Sequence, residues 1–127
     1  MPRVELFYAY KAHPDKELLN VCVAKKTGFD VASIHEIETC IKSGINPNNL
    51  IFANPVKDEE MLLAARKHGV SKMTFDCSEE LHKIKKWYPQ AECVLRMAVQ
   101  GETGAMYNLN EKYGAPMDQA KLILKVA

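Results

Sequence analysis

A chain of 127 residues with 47% hydrophobic content can fill one core and is the size of one ordinary domain. Its 17 basic and 16 acidic residues are interspersed and leave a net charge of +1, which argues against a nucleic-acid binder or a partner of anionic membranes. No apolar run approaches the roughly 18–20 residues that cross a bilayer, and the N-terminus has no signal-peptide pattern, so the reading is a cytoplasmic protein.

In chain order, short apolar runs alternate with amphipathic stretches. Val4–Tyr10 reads as a strand. After the turn His13-Pro14-Asp15, with proline suited to a first helical turn, Leu18, Leu19, Cys22 and Val23 recur at helical spacing, and Lys25–Gly28 closes that helix. Phe29–Ala32 is a second strand, and Ile34, Ile37, Cys40 and Ile41 form the apolar stripe of a helix ending near Gly44. Asn49–Asn54 is a third strand, and Asp58–His68 a helix whose Met61, Leu62 and Ala65 face inward before Gly69. Lys72–Cys77 is a fourth strand, Ser78 an N-cap, and Leu81, Ile84 and Tyr88 the inner stripe of the next helix. Ala91–Val99 is a fifth strand. Gln100–Gly114 holds three of the six glycines and reads as a loop with a short turn, and Met117–Ala127 is a final helix. No Pro-, Gly- and Ser-rich linker divides the chain, so residues 1–127 form one structural unit.

Five successive βα units imply a parallel sheet, because a parallel strand returns through a crossover that the helix supplies. Two architectures fit this pattern. A doubly wound five-stranded sheet is complete at this length, whereas a (β/α)8 barrel of about 250 residues is only partly present.

The four cysteines, Cys22, Cys40, Cys77 and Cys93, are widely spaced within apolar segments and read as small buried hydrophobes. None pairs with His13, His35, His68 or His82 at ligand spacing, so no metal site is expected. Neither "KSGIN" nor "QGETGA" matches a nucleotide-binding glycine motif.

In parallel α/β proteins chemistry gathers at the carboxyl ends of the strands. Those ends carry Lys11, Asp30 to Ser33, Asn54 to Lys57, Asp76, Cys77 and Arg96. Strand alternation puts Phe7, Ala9 and Lys11 on one side, with the small Ala9 leaving room beside the lysine. A lysine sunk in a low-dielectric mouth favours the neutral amine that adds to a carbonyl, whereas a solvated strand-end lysine is the ordinary alternative. Asp30 can support that lysine electrostatically. Glu36 can handle a proton, or can serve the capping box that Ser33-Ile34-His35-Glu36 spells. Arg96 offers a planar fork to a phosphate or carboxylate, or forms a structural ion pair.

The blocks "FYAYK" (7–11), "TGFDVAS" (27–33) with Glu36 after it, "LIFANPVK" (50–57), "MTFDCSEEL" (73–81), "VLRMA" (94–98) and "KYGA" (112–115) follow one another across almost the whole chain. In that order they closely resemble the barrel domain of the pyridoxal-phosphate-dependent ornithine decarboxylases, whose fold is shared with alanine racemase. The resemblance implies a partial (β/α)8 barrel of about five βα units. It implies pyridoxal 5'-phosphate as cofactor, Lys11 as the Schiff-base lysine, Ala9 beside the cofactor, Asp30 and Glu36 as carboxylates near the lysine, and Arg96 in the cofactor pocket. It further implies a decarboxylase of a basic amino acid, ornithine giving putrescine in polyamine biosynthesis. One departure bears on the substrate: Ala12-His13 follow the lysine, where the family usually has Cys-Asn.

By the same resemblance the chain holds the first part of the barrel and lacks the later strands and the C-terminal β-domain that complete the site across a homodimer. The expectation is a fragment inactive alone, whose open sheet edges favour association. A regulatory protein similar to the antizyme inhibitors, with a non-catalytic barrel, is the alternative. Such proteins typically lose the residues matching Asp30 and Arg96, both present here. In animal members the segment matching about residues 59–82 binds antizyme, which makes antizyme a candidate partner.

Overall fold

The computed structural model describes residues 4–98 and 113–125. Five strands form one sheet: β1 (Phe7–Ala9), β2 (Gly28–Val31), β3 (Leu50–Phe52), β4 (Lys72–Phe75) and β5 (Glu92–Leu95). The helices are α1 (Lys16–Ala24), α2 (Ile34–Lys42), α3 (Glu59–His68), α4 (Ser78–Trp87) and α5 (Met117–Ile123). Every strand pair is parallel and the order is β1-β2-β3-β4-β5. A doubly wound sheet reverses its order at a switch point. This sheet does not reverse, so right-handed crossovers return the helices on one side, as in an arc of a barrel.

Alternation then sorts the side chains. Phe29, Val31, Leu50, Phe52, Met73 and Phe75 are buried in one cluster with Leu19, Ile37, Cys40, Leu62, Ala65 and Ile84 from the helices. Each of the Val, Leu, Ile, Phe and Met side chains among these contributes about 1.5–3 kcal/mol on burial. The opposite face carries Ala9, Asp30 and Ile51 in register, then Thr74 beside Val94. Caps fix where the helices begin and end. Asp15 Oδ1 accepts the Glu17 and Leu18 N–H groups, Asp58 Oδ1 accepts that of Met61 at 2.8 Å, and α3 ends on Gly69 at φ 75°.

Several sequence expectations are corrected. The first strand is only Phe7–Ala9, and Tyr10–Ala12 curl into a 3-10 turn with Tyr10 buried in the core. Pro14 precedes the Asp15 cap instead of entering the helix. Cys77, not Ser78, is the N-cap of α4; Ser78 Oγ instead bonds Glu79 Oε2 at 3.1 Å. β2 begins one residue earlier than the expected Phe29–Ala32 and keeps its length, whereas β3, β4 and β5 are shorter than the apolar runs that marked them. Of the cysteines only Cys40 is buried; Cys22 and Cys77 are half-buried, and Cys93 is exposed because it stands on the edge strand β5. Most of the expected Gln100–Gly114 loop, with Val99, lies outside the described residues.

Behind β3 and β4 a buried ion cluster locks the loop after β3 to α4. Lys57, with 0% side-chain exposure, places Nζ 2.8 Å from Glu80 Oε1 and donates to the carbonyls of Asn54 at 3.0 Å and Thr74 at 2.6 Å. Glu80 also accepts the Lys57 N–H, and its Oε2 lies 2.7 Å from Lys83 Nζ, which itself donates to the Lys57 carbonyl. Burial holds the Lys57 ammonium below its ordinary pKa, while Glu80 pulls it the other way. Every polar atom in this cluster has a partner.

Candidate active site

The rim at the carboxyl ends of β1, β2 and β5 has the opposite character. Asp30 sits inside β2, in register with Ala9 on β1, and its side chain points to the face away from the helices. Arg96 follows β5 directly and continues the ladder, its N–H bonding the Phe75 carbonyl at 2.8 Å. By parity with Val94, Arg96 shares that face. Lys11 reaches the rim from the 3-10 turn instead of from the strand, and it is exposed, not sunk in a low-dielectric mouth. That turn corrects the alternation reading: Lys11 projects by the curl of residues 10–12.

Electrostatics tie these groups together. Partial burial raises the Asp30 carboxyl above its ordinary pKa; the Lys11 and Arg96 cations pull it back down, and Glu36 pushes it further up. One carboxyl thus feels all three of the other charged residues singled out in the sequence, although they span residues 11 to 96.

Glu36 is committed locally. Its Oε2 accepts the Ala32 N–H at 2.6 Å, while Ser33 Oγ accepts the Glu36 N–H at 3.3 Å. This is a capping box displaced by one residue, since the glutamate holds Ala32 and not the Ser33 cap itself. The structural alternative for Glu36 therefore holds, and it leaves the carboxylate braced beneath the rim. Its charge is also felt behind the sheet: burial first and Glu36 second push the Cys40 thiol up to about 12, which leaves that cysteine an inert core residue.

Arg96 forms no ion pair among the described residues. Its guanidinium instead lies over the Tyr113 ring, 5.4 Å from the centroid. Lys11, likewise, makes no hydrogen bond or ion pair to a described residue. The set therefore offers an amine, a cationic fork and a supporting carboxyl that form no ion pair among the described residues, beside the small Ala9. That donor chemistry fits a ligand carrying an aldehyde and an anionic group. A separate pocket of about 300 Å³, against Leu81, Ile84, Tyr88 and Cys93, lies at the α4–β5 edge and contains none of these groups.

Sequence reasoning missed two features of this region. Asp76 was marked only as a strand-end residue and Tyr113 only as part of "KYGA", yet the fold lays the Tyr113 ring against Arg96 and bonds Asp76 to the Gly114 N–H beside it. The Lys57–Glu80 pair gave no local sign either, because 23 residues separate its members.

Known proteins resemble the chain along its whole length. The chain is 40% identical to the ornithine decarboxylase of Neurospora crassa over 127 residues, which is 100% of this chain and 26% of that protein. It is 40% identical to the lysine/ornithine decarboxylase of Selenomonas ruminantium, covering 100% of this chain and 32% of that protein. Among solved structures, the arginine decarboxylase of Paramecium bursaria Chlorella virus superposes with a TM-score of 0.92 at 36% identity, over 100% of this chain and 34% of that one. The chain thus spans about a quarter to a third of the length of these relatives. The family described as pyridoxal-dependent decarboxylase, pyridoxal binding domain, matches residues 1–127. With that match over its whole length, the chain belongs to the pyridoxal-dependent decarboxylases and is part of their cofactor-binding barrel.

Proposed function

We propose that the protein containing this chain decarboxylates L-ornithine to putrescine with pyridoxal 5'-phosphate, and that Lys11 is the amine that joins the cofactor's aldehyde. The observation that carries this reading is the placement of Lys11, Asp30 and Arg96 toward the carboxyl ends of β1, β2 and β5, at one rim of the sheet. When bound, the cofactor supplies an electron sink for the charge left as carbon dioxide departs. The chain's own residues do the rest of the work assigned here. Ala9 leaves space against the sheet. Asp30 and Arg96 set the local field, and Glu36 braces the Ala32 backbone at the end of β2.

Ornithine is chosen among the basic amino acids because the Neurospora relative, at 40% identity, is an ornithine decarboxylase and the Selenomonas one a lysine/ornithine decarboxylase. The reading includes a cytoplasmic protein acting as a homodimer. The test supplies the complete polypeptide with pyridoxal phosphate and, separately, L-ornithine, L-lysine and L-arginine, and measures the amine formed. Putrescine from ornithine at the highest kcat/KM is the expected result. A preference for lysine or arginine would overturn the substrate; cofactor binding with no amine from any of the three would overturn the activity.

A further inference from the structure

Among the described residues Arg96 makes no ion pair, and the group that lies directly against its guanidinium is the Tyr113 ring. A carboxylate would orient the guanidinium but also neutralise it and occupy its donors. A ring at 5.4 Å holds the cation through its face and leaves both the charge and the in-plane N–H groups available.

The ring is itself seated by a latch. Ala115 pairs with β5's extension, its N–H donating to the Arg96 carbonyl at 2.9 Å and its carbonyl accepting the Ala98 N–H at 3.0 Å. Between them Gly114 adopts φ +124°, and its N–H donates to Asp76 Oδ2 at 3.1 Å. A Cβ at Gly114 would stand 2.7 Å from the Ala98 nitrogen, so only glycine lets the segment lie this close to β5. Asp76, at the end of β4, thereby reaches across 38 residues of sequence to fix the backbone that carries Tyr113.

We infer that Tyr113 is a positioning residue for the Arg96 guanidinium, with Asp76 as the latch that seats it, so that the rim presents an oriented cation to the anionic part of the cofactor. This rests on the proposed cofactor site and adds to it two residues and a mode of action.

The test is a double-mutant cycle read by equilibrium titration of pyridoxal phosphate, using the complete polypeptide. Tyr113→Leu weakens cofactor binding by about two- to tenfold, the range of a partly exposed cation–π contact. Tyr113→Phe keeps the ring and stays within about twofold of the parent by the same principle. In an Arg96→Ala background Tyr113→Leu has no further effect. Asp76→Ala reproduces Tyr113→Leu, and Asp76→Asn, which keeps an acceptor, falls between. Tyr113 is 46% exposed, so its variants test the idea even where Asp76→Ala fails to fold. An equal loss in both Arg96 backgrounds, or a loss with Phe matching that with Leu, overturns the positioning role while the cofactor site stands. A parent protein that binds no pyridoxal phosphate overturns the site itself, and the positioning role with it.

Discussion

Two charged clusters lie within one sheet's reach, and they are built in opposite ways. Lys57, Glu80 and Lys83 form a closed set in which the buried lysine meets a carboxylate and two carbonyls, and no buried side-chain nitrogen or oxygen among the described residues is left unpartnered. Lys11, Asp30 and Arg96 form an open set on the carboxyl rim, where the charges influence one another without pairing off. A closed cluster has spent its hydrogen-bonding capacity on the fold. An open one keeps its capacity for a ligand, and that is the physical ground for placing chemistry at the rim and not at the buried ion cluster.

The largest effect should come from breaking the closed cluster. Glu80→Ala leaves Lys57 buried without its counter-ion, a change worth about 3–5 kcal/mol, against a total domain stability of about 5–15 kcal/mol. Urea unfolding midpoints measure it. Lys57→Met with Glu80→Leu recovers only part of that loss, because the Asn54 and Thr74 carbonyls still lose their donor. At the rim, Lys11→Ala changes stability by less than about 0.5 kcal/mol, as befits an exposed group. Comparable losses at Glu80 and Lys11 would erase the distinction between the clusters.

A smaller effect separates them by pH. Burial raises the folded Asp30 pKa, so the ionised carboxylate opposes folding once the pH exceeds that value. Between the unfolded carboxylate value, about 3.9, and the raised folded value, the parent loses stability as pH rises. Asp30→Asn does not. In thermal melts without cofactor the variant is therefore slightly more stable at neutral pH, and the difference vanishes below the unfolded pKa. Solvent screening at this partly exposed site keeps it small. A variant less stable than the parent at neutral pH would mean that Asp30 is a structural ion-pair partner and not part of an open site.

Much of the fold was legible in the sequence because the βα alternation imposes it. Strand-length apolar runs and 3.6-residue stripes located all five strands and the helices between them. Sheet order was not legible in the alternation, which both candidate architectures share; the family resemblance implied the barrel, and the β1-β2-β3-β4-β5 pairing agrees with it. The site divided in the same manner. Lys11, Asp30 and Arg96 were found because strand ends are local features, but the curl at Tyr10–Ala12 was not, since nothing in "YKA" opposes continued strand. Tyr113 over Arg96 and Lys57 under Glu80 are contacts across 17 and 23 residues, set by packing that local pattern does not encode.

The central claim is that Lys11, on the open rim, is the lysine that carries the cofactor. Borohydride reduction of the complete polypeptide loaded with pyridoxal phosphate fixes the attached group as a stable amine, and peptide mass spectrometry then locates it. The added mass is expected on Lys11. The same mass on another lysine, Lys57 included, would contradict it.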